Sequence, residues 1–203
     1  IEIKDRNIIN INVGVILRSV LDLKVDKYIS KIKVTNKKGT EEFKYDNKDI
    51  AKIEIPSRYI DGSEVEFTYT INSTNVGDIE GYASNIVDYS PTSWDFSTTL
   101  NPKWYKDGDK IATNSLADVK IKPGETKEIT LVLTKTMTNS NTGLISNQAD
   151  IDKSSNDLGI IDENKDEVVD PKGKVVIDDS WSNIKRWREA GGVGILFSKT
   201  ECD

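Results

Sequence analysis

The stretch EVEFTYTIN, residues 64–72, alternates without a break. Val65, Phe67, Tyr69 and Ile71 fall on one side, and Glu64, Glu66, Thr68 and Thr70 on the other. Successive side chains of a strand point to opposite faces, so a period of two marks a strand with one buried face. The segments around it read the same way. IEIKDRNIININVGVI (1–16) alternates and is rich in β-formers. DLKVDKYISKIKVTN (22–36) follows and is closed by the turn Lys37-Lys38-Gly39. AKIEIPSRYI (51–60) is separated from the central stretch by Asp61-Gly62, a strong turn signal. Further on, YASNIVDYSP (82–91) and GLISNQADI (143–151) read as strands. Asp107-Gly108 marks a hairpin, and ADVKIKPGETKEITLVLTKTM (117–137) holds two strands around Pro123-Gly124. Short strands between turns, with no helix-length periodic segment, predict an all-β protein built as a β-sandwich. An irregular acidic loop is expected at about 153–179. SWSNIKRWREAGG (180–192) is the one candidate helix, with a serine cap and a Gly-Gly stop, and GVGILFSKT (192–200) a final strand.

Composition narrows the function. The chain has 203 residues and a net charge of −6, which argues against a nucleic-acid binder, since such proteins present a basic face. Lysines and acids are interleaved, as on a solvated surface. A hydrophobic share of 36% is enough for a core and too high for a disordered chain. Cys202 is the only cysteine, which excludes an internal disulfide and reads as an inconsequential thiol. There is no histidine, which removes His-based catalysis and His-ligated metal. No run is apolar enough to span a membrane and no signal peptide is present. The chain begins at Ile1 and is expected to be a segment of a longer protein, so the missing signal says nothing about location.

One residue breaks the pattern. In LDLKVDKYI (21–29), Leu21, Leu23, Val25 and Ile29 share one parity, and Lys27 shares it with them. A buried amine is costly unless it has a partner. Asn147 shares parity with Ile145, Ala149 and Ile151 and also points at the core. Asp88 is ambiguous: Ile86 lies on its side, but Val87 and Tyr89 make the other side apolar too.

Several segments in order resemble a known pattern. They are Asp22-Leu23-Lys24-Val25-Asp26-Lys27, the run from Tyr69 to Gly77 with Ile71 and Asn75, Val87-Asp88-Tyr89-Ser90-Pro91, Ile121 to Thr126 around PGET, and Asn147-Gln148-Ala149. Together they resemble the Ig-like repeat domains of Gram-positive cell-surface proteins, which are strung into wall-anchored stalks and adhesins. The resemblance spans about residues 21–160. It implies an Ig-like β-sandwich over 21–179 that includes the acidic loop. Residues 1–20 would then be a terminal strand or linker of a preceding module. Residues 180–203 have no counterpart in the pattern and stand as a tail with the short helix and final strand. It further implies an extracellular, cell-wall-associated stalk or spacer whose partners are neighbouring modules of the same chain. Such a module needs no cofactor, turns over no substrate and makes no membrane contact through this segment.

In many domains of this type a strand lysine forms an isopeptide bond with an asparagine, assisted by a buried carboxylate. The resemblance maps these roles onto Lys27, Asn147 and Asp88. Each residue type suits the chemistry. Burial lowers a lysine pKa toward the nucleophilic neutral amine. A buried carboxylic acid can polarise the poorly electrophilic carboxamide and carry a proton to the departing ammonia. The same residues also have plainer readings. Lys27 can snorkel, Asn147 can satisfy a buried backbone group, and Asp88 can close a turn before Pro91. Lys24 and Lys31 are rival amines. Lys24 has the solvent parity, whereas Lys31 continues the inward one; Asp26 and Glu66 are rival acids.

Three other features bear on binding and modification. Trp94, Phe96, Trp104 and Tyr105 cluster in one region. If Trp94, Trp104 and Tyr105 are exposed, they form an adhesin surface for a host protein or glycan; otherwise they cap the sandwich. DENKDE (162–167) spaces oxygen ligands at alternate positions but lacks the glycine and final glutamate of a calcium loop, so no metal site is expected. Asn72-Ser73-Thr74 matches a glycosylation sequon, which a bacterial protein would leave unused.

Overall fold

The structure, a computed structural model, describes residues 19–47, 51–138, 143–145, 147–159, 175–178, 185 and 193–198. Its centre is the stretch that alternates most cleanly. Strand β4 (Glu64–Asn75) is paired antiparallel on both sides, with β1 (Leu23–Asn36) and with β9 (Thr126–Thr136). Val65, Phe67, Tyr69 and Ile71 all have 0% exposure, so this face is the middle of the core. With β2 (Gly39–Lys44) and the two-residue β6 (Asp95–Phe96) the sheet runs β2-β1-β4-β9-β6. A second antiparallel sheet runs β11-β5-β8-β7, from β5 (Tyr82–Tyr89), β7 (Tyr105–Asp107), β8 (Lys110–Thr113) and β11 (Gln148–Ser155). Buried residues of both sheets join in one apolar core, which gives a sandwich-like all-β architecture.

A third, mixed sheet involves the C-terminal region. Its order is β10-β12-β13-β3, from β3 (Lys52–Pro56), β10 (Gly143–Ile145), β12 (Val175–Asp178) and β13 (Val193–Ser198). β13 is parallel to both β12 and β3. The final strand expected from GVGILFSKT is therefore present, and it brings the tail against β3. Ile53 and Ile55 of β3 are buried in the common core, as is Ile60 of α1 (Ser57–Ile60), a single turn that follows Pro56.

The structure departs from the sequence pattern at four places. β1 carries a bulge between Ile29 and Lys31, and its register against β4 shifts there. An extra residue flips every later side chain. Ile32 and Val34 thus turn inward, and Lys31 turns out to meet Glu42 at 3.5 Å. Before Pro123, only Ile121 pairs, by an isolated bridge with Gly81, so ADVKIKPGETKEITLVLTKTM holds one strand instead of two. GLISNQADI is divided into β10 and β11, which belong to different sheets. The stretch expected as acidic loop begins and ends in strand, since β11 reaches Ser155 and β12 covers Val175–Asp178. Residues 1–18 and all of 180–192 except Lys185 lie outside the described residues, as does DENKDE.

The Asn75 and Gly77 pair acts as a staple. Asn75 is fully buried, and its amide donates to the carbonyls of Ile79 (2.7 Å) and Ile121 (2.9 Å) while its oxygen accepts from Gly77 (3.0 Å). Gly77 lies so close to the chain entering β1 that a Cβ there would stand 2.3 Å from the Val20 carbonyl oxygen and 2.7 Å from the Asp22 nitrogen. Both obstacles are backbone and cannot step aside.

A similar device protects the outer edge of β9. Asn101 mimics a strand residue: its oxygen accepts from Val132 N–H (2.7 Å) and its amide donates to Val132 carbonyl (2.8 Å). Covering an edge in this way blunts its tendency to pair with another chain.

Asn75→Ala removes three hydrogen bonds and leaves the Ile79 carbonyl without its side-chain donor, while the Ile121 carbonyl keeps Gly81 N–H and Gly77 N–H keeps the Asp22 carbonyl, so it is expected to cost about 1–3 kcal/mol. Gly77→Ala is expected to cost a comparable amount through backbone displacement. Urea midpoints should fall with unchanged slopes; a midpoint within experimental scatter of the parent for either variant contradicts the staple.

Candidate functional site

Lys27 reaches the core because it precedes the bulge and keeps the parity of Leu23, Val25 and Ile29. It is 3% exposed. Opposite, β5 places Asp88 on the inner face of the second sheet at 0% exposure, in register with Ile111 and Ala149, both buried. The sequence left Asp88 ambiguous because Val87, on the other face, is also buried, at 1% exposure. The Lys27 ammonium nitrogen donates to Asp88 Oδ2 across the seam between the sheets. Asn147, which immediately precedes β11, is 5% exposed and lies beside Asp88. All three residues singled out from the sequence therefore meet at one buried place.

The rival groups do not. Lys24 is exposed. Lys31 is turned out by the bulge. Glu66 pairs with Lys33 at 2.5 Å on the outer face, and Asp26 is half-buried on the solvent parity. Lys135, the other buried lysine among the described residues, donates to the Ser93 carbonyl at 3.2 Å.

Burial pushes the Lys27 pKa down, and the attraction of Asp88 only partly opposes it. Burial likewise pushes the Asp88 carboxyl up, against the pull of Lys27 and of Asn147. The two shifts favour the same transfer, of a proton from amine to carboxylate. In a dry core, the attraction of two charges often fails to repay their desolvation, so a neutral amine beside a neutral acid becomes competitive with the ion pair.

Asn147 stands out among the buried asparagines. Asn75 and Asn101 spend their carboxamides on backbone groups. Neither the nitrogen nor the oxygen of Asn147 has a hydrogen-bond partner of ordinary geometry, and Asp88 Oδ1 also lacks one. Buried polar atoms are nearly always paired, so three orphan atoms in one cluster call for an explanation. Tyr69 completes the cluster and was missed in the sequence, where it reads as one more core aromatic. Lys27 Nζ lies 4.4 Å from the centre of its ring. Its hydroxyl is buried next to the Asn147 carboxamide, without a hydrogen bond of ordinary geometry. Its place on β4 opposite Ile29, two residues along from the partner of Lys27, was the available signal.

The aromatic group behaves differently. Trp94 (6% exposed) packs on Phe67, with ring centres 4.4 Å apart, and Trp104 (5% exposed) donates its indole N–H to the Thr130 carbonyl at 2.7 Å. Only Tyr105 is exposed, at 41%. The three do not form a contiguous aromatic surface. A shallow pocket of about 290 Å³ opens beside Trp104 between Leu100, Lys103 and Glu128, and none of Lys27, Asp88 and Asn147 lines it. Among the described residues no three His, Cys, Asp or Glu side chains gather as a metal site, and no helix is long and apolar enough to cross a membrane.

The fold and the cluster define an all-β, sandwich-like protein with an amine, a carboxyl and a carboxamide gathered in its core. No protein-family model matches the chain, and no curated protein matches it in sequence.

A pH experiment tests the state of the pair. Asn147→Ala keeps Lys27 and Asp88, which together hold one proton whether ionic or neutral, the same number as in the unfolded chain at neutral pH. Its stability should therefore show little pH dependence from this site between the ordinary carboxylate and amine values, 3.8 and 10.5. Lys27→Met leaves Asp88 alone with a raised folded pKa. Below 3.8 both states are protonated; above it the unfolded chain releases a proton that the folded one retains. Stability should then fall as pH rises, by up to about 1.4 kcal/mol per unit. A flat profile for Lys27→Met disproves the raised Asp88 pKa.

Proposed function

We propose that this chain is a structural module that crosslinks itself once, through an amide between Lys27 Nζ and Asn147 Cγ with Asp88 assisting. One observation carries the reading: a buried lysine paired with a buried aspartate stands by a buried carboxamide that forms no hydrogen bond of ordinary geometry. In the reaction, neutral Lys27 attacks Asn147 Cγ. Asp88, which holds the proton taken from the Lys27 ammonium, gives it to Nδ2 and accepts the one that the attacking nitrogen sheds. The Cγ–Nδ2 bond breaks and ammonia leaves. The product is a neutral secondary amide, so the desolvation cost of a charged amine disappears.

Lys27 and Asn147 are 120 residues apart in sequence. By analogy with a disulfide, closing that loop removes about 4–5 kcal/mol of entropy from the unfolded chain. An amide is not reducible, which suits a chain with a single cysteine. The resemblance of residues 21–160 to Ig-like repeats of Gram-positive surface proteins extends the reading: an Ig-like stalk or spacer of a wall-anchored, extracellular protein, in contact with neighbouring modules. The burial of Trp94 and Trp104 favours this over an adhesin that binds through those aromatics.

Intact mass tests the bond directly. The parent is expected to be about 17 Da lighter than its sequence mass, the ammonia lost on amide formation. Lys27→Ala and Asn147→Ala should have their full masses and melt well below the parent. A parent at full mass ends the proposal.

A further inference from the structure

We propose that the Tyr69 hydroxyl is a catalytic hydrogen-bond donor to the Asn147 carboxamide oxygen as the amide forms, leaving Asp88 to move protons. The inference rests on the crosslinking reading above and adds a fourth group to it. Three observations place Tyr69 in this role. Its side chain is fully buried, yet its hydroxyl forms no hydrogen bond of ordinary geometry. A buried hydroxyl without a well-made hydrogen bond is costly, and phenylalanine would fill the same space without that cost. The hydroxyl lies within reach of the Asn147 carboxamide, which forms no hydrogen bond of ordinary geometry. The ring of the same residue lies 4.4 Å from Lys27 Nζ, so one side chain borders both reacting groups.

The chemistry requires such a donor. When Nζ adds to Cγ, the carboxamide oxygen gains negative charge in a medium that cannot solvate it. Asp88 is already engaged: its Oδ2 accepts from the amine, and it has to take up that proton and deliver one to the departing nitrogen. A single carboxyl cannot serve the oxygen throughout that exchange. The phenol can, because burial raises its pKa far above ordinary and keeps it protonated at any working pH. The phenol lends its hydrogen to the developing oxyanion without giving it up. As the carbonyl re-forms, Cγ–Nδ2 breaks and Nδ2 departs as ammonia with the proton from Asp88. Amine plus carboxamide give secondary amide plus ammonia, and Tyr69 and Asp88 end as they began.

The test uses Tyr69→Phe, which keeps the ring and removes only the oxygen. Freshly synthesised chains from cell-free translation are quenched at intervals and weighed. The parent should lose about 17 Da quickly, and Tyr69→Phe should lose the same mass roughly 100–1000-fold more slowly, the usual effect of deleting an oxyanion donor. In an Asn147→Ala background, where no bond forms, Tyr69→Phe should not lower stability, because it deletes an unpaired hydroxyl. Equal rates for parent and Tyr69→Phe overturn the inference and leave the crosslink intact. Slowing accompanied by lost stability in the Asn147→Ala background also overturns it, because the defect is then one of folding. A parent that never loses ammonia overturns the crosslink and the role of Tyr69 together.

Discussion

The sandwich closes around an amine that has nowhere to go. Lys27 stands in the inner face of one sheet, with Leu23, Val25 and Ile29 as its neighbours, and water is excluded from it. Moving an ammonium into such a site costs several kcal/mol, which apolar packing alone cannot return. The facing sheet therefore has to supply a group that either shares the charge or removes it. β5 does so with Asp88, placed by its register with Ile111 on one side and Ala149 on the other. The alignment of the two sheets is thus constrained by a polar contact as well as by shape. A shift of one residue in β5 would put Val87 or Tyr89 in its place and strand the lysine.

Much of this was legible in the chain. The clean alternation of 64–72 located the central strand, because a strand paired on both sides with one face in the core has no freedom to depart from period two. The parities of Lys27 and Asn147 placed both in the core for the same reason. Asp88 resisted because parity distinguishes faces only when one of them is polar, and Val87 is buried on the other side. Lys31 was misplaced because parity is counted through a strand, and nothing in YISKIKV announces the bulge after Ile29. The split of GLISNQADI and the parallel pairing of β13 with β3 depend on which distant segments are available to pair. Local pattern does not encode that. Tyr69 was hidden by its own chemistry: a tyrosine on an apolar face looks like packing until its hydroxyl is found without a partner.

Asparagine is the informative residue type here. Asn75 and Asn101 show what a buried carboxamide does when its task is structural. Each spends both ends on backbone groups, one holding the turn after β4 and the other imitating a strand along β9. These bonds offset the desolvation of the amide and explain why the chain keeps asparagine there. Asn147 has no backbone bonds of that kind, and its carboxamide meets only Asp88 and Tyr69, without ordinary hydrogen-bond geometry. A structural role would be served as well by leucine, which would add apolar contact and remove two orphan atoms.

A carboxamide can sit in a site that fails to bond it if its value lies in reacting. Asn147, Asp88 and Tyr69 gather around the lysine, and a proton passed from Lys27 to Asp88 leaves every member of the cluster uncharged. That state is the least costly one for a dry core, and it is also the one in which the amine is a nucleophile. The burial that makes Lys27 expensive as an ion thus makes it competent to attack. Ion pair and neutral pair hold the same number of protons, so solution pH does not choose between them. The fold does, through how completely the two sheets exclude water from the seam.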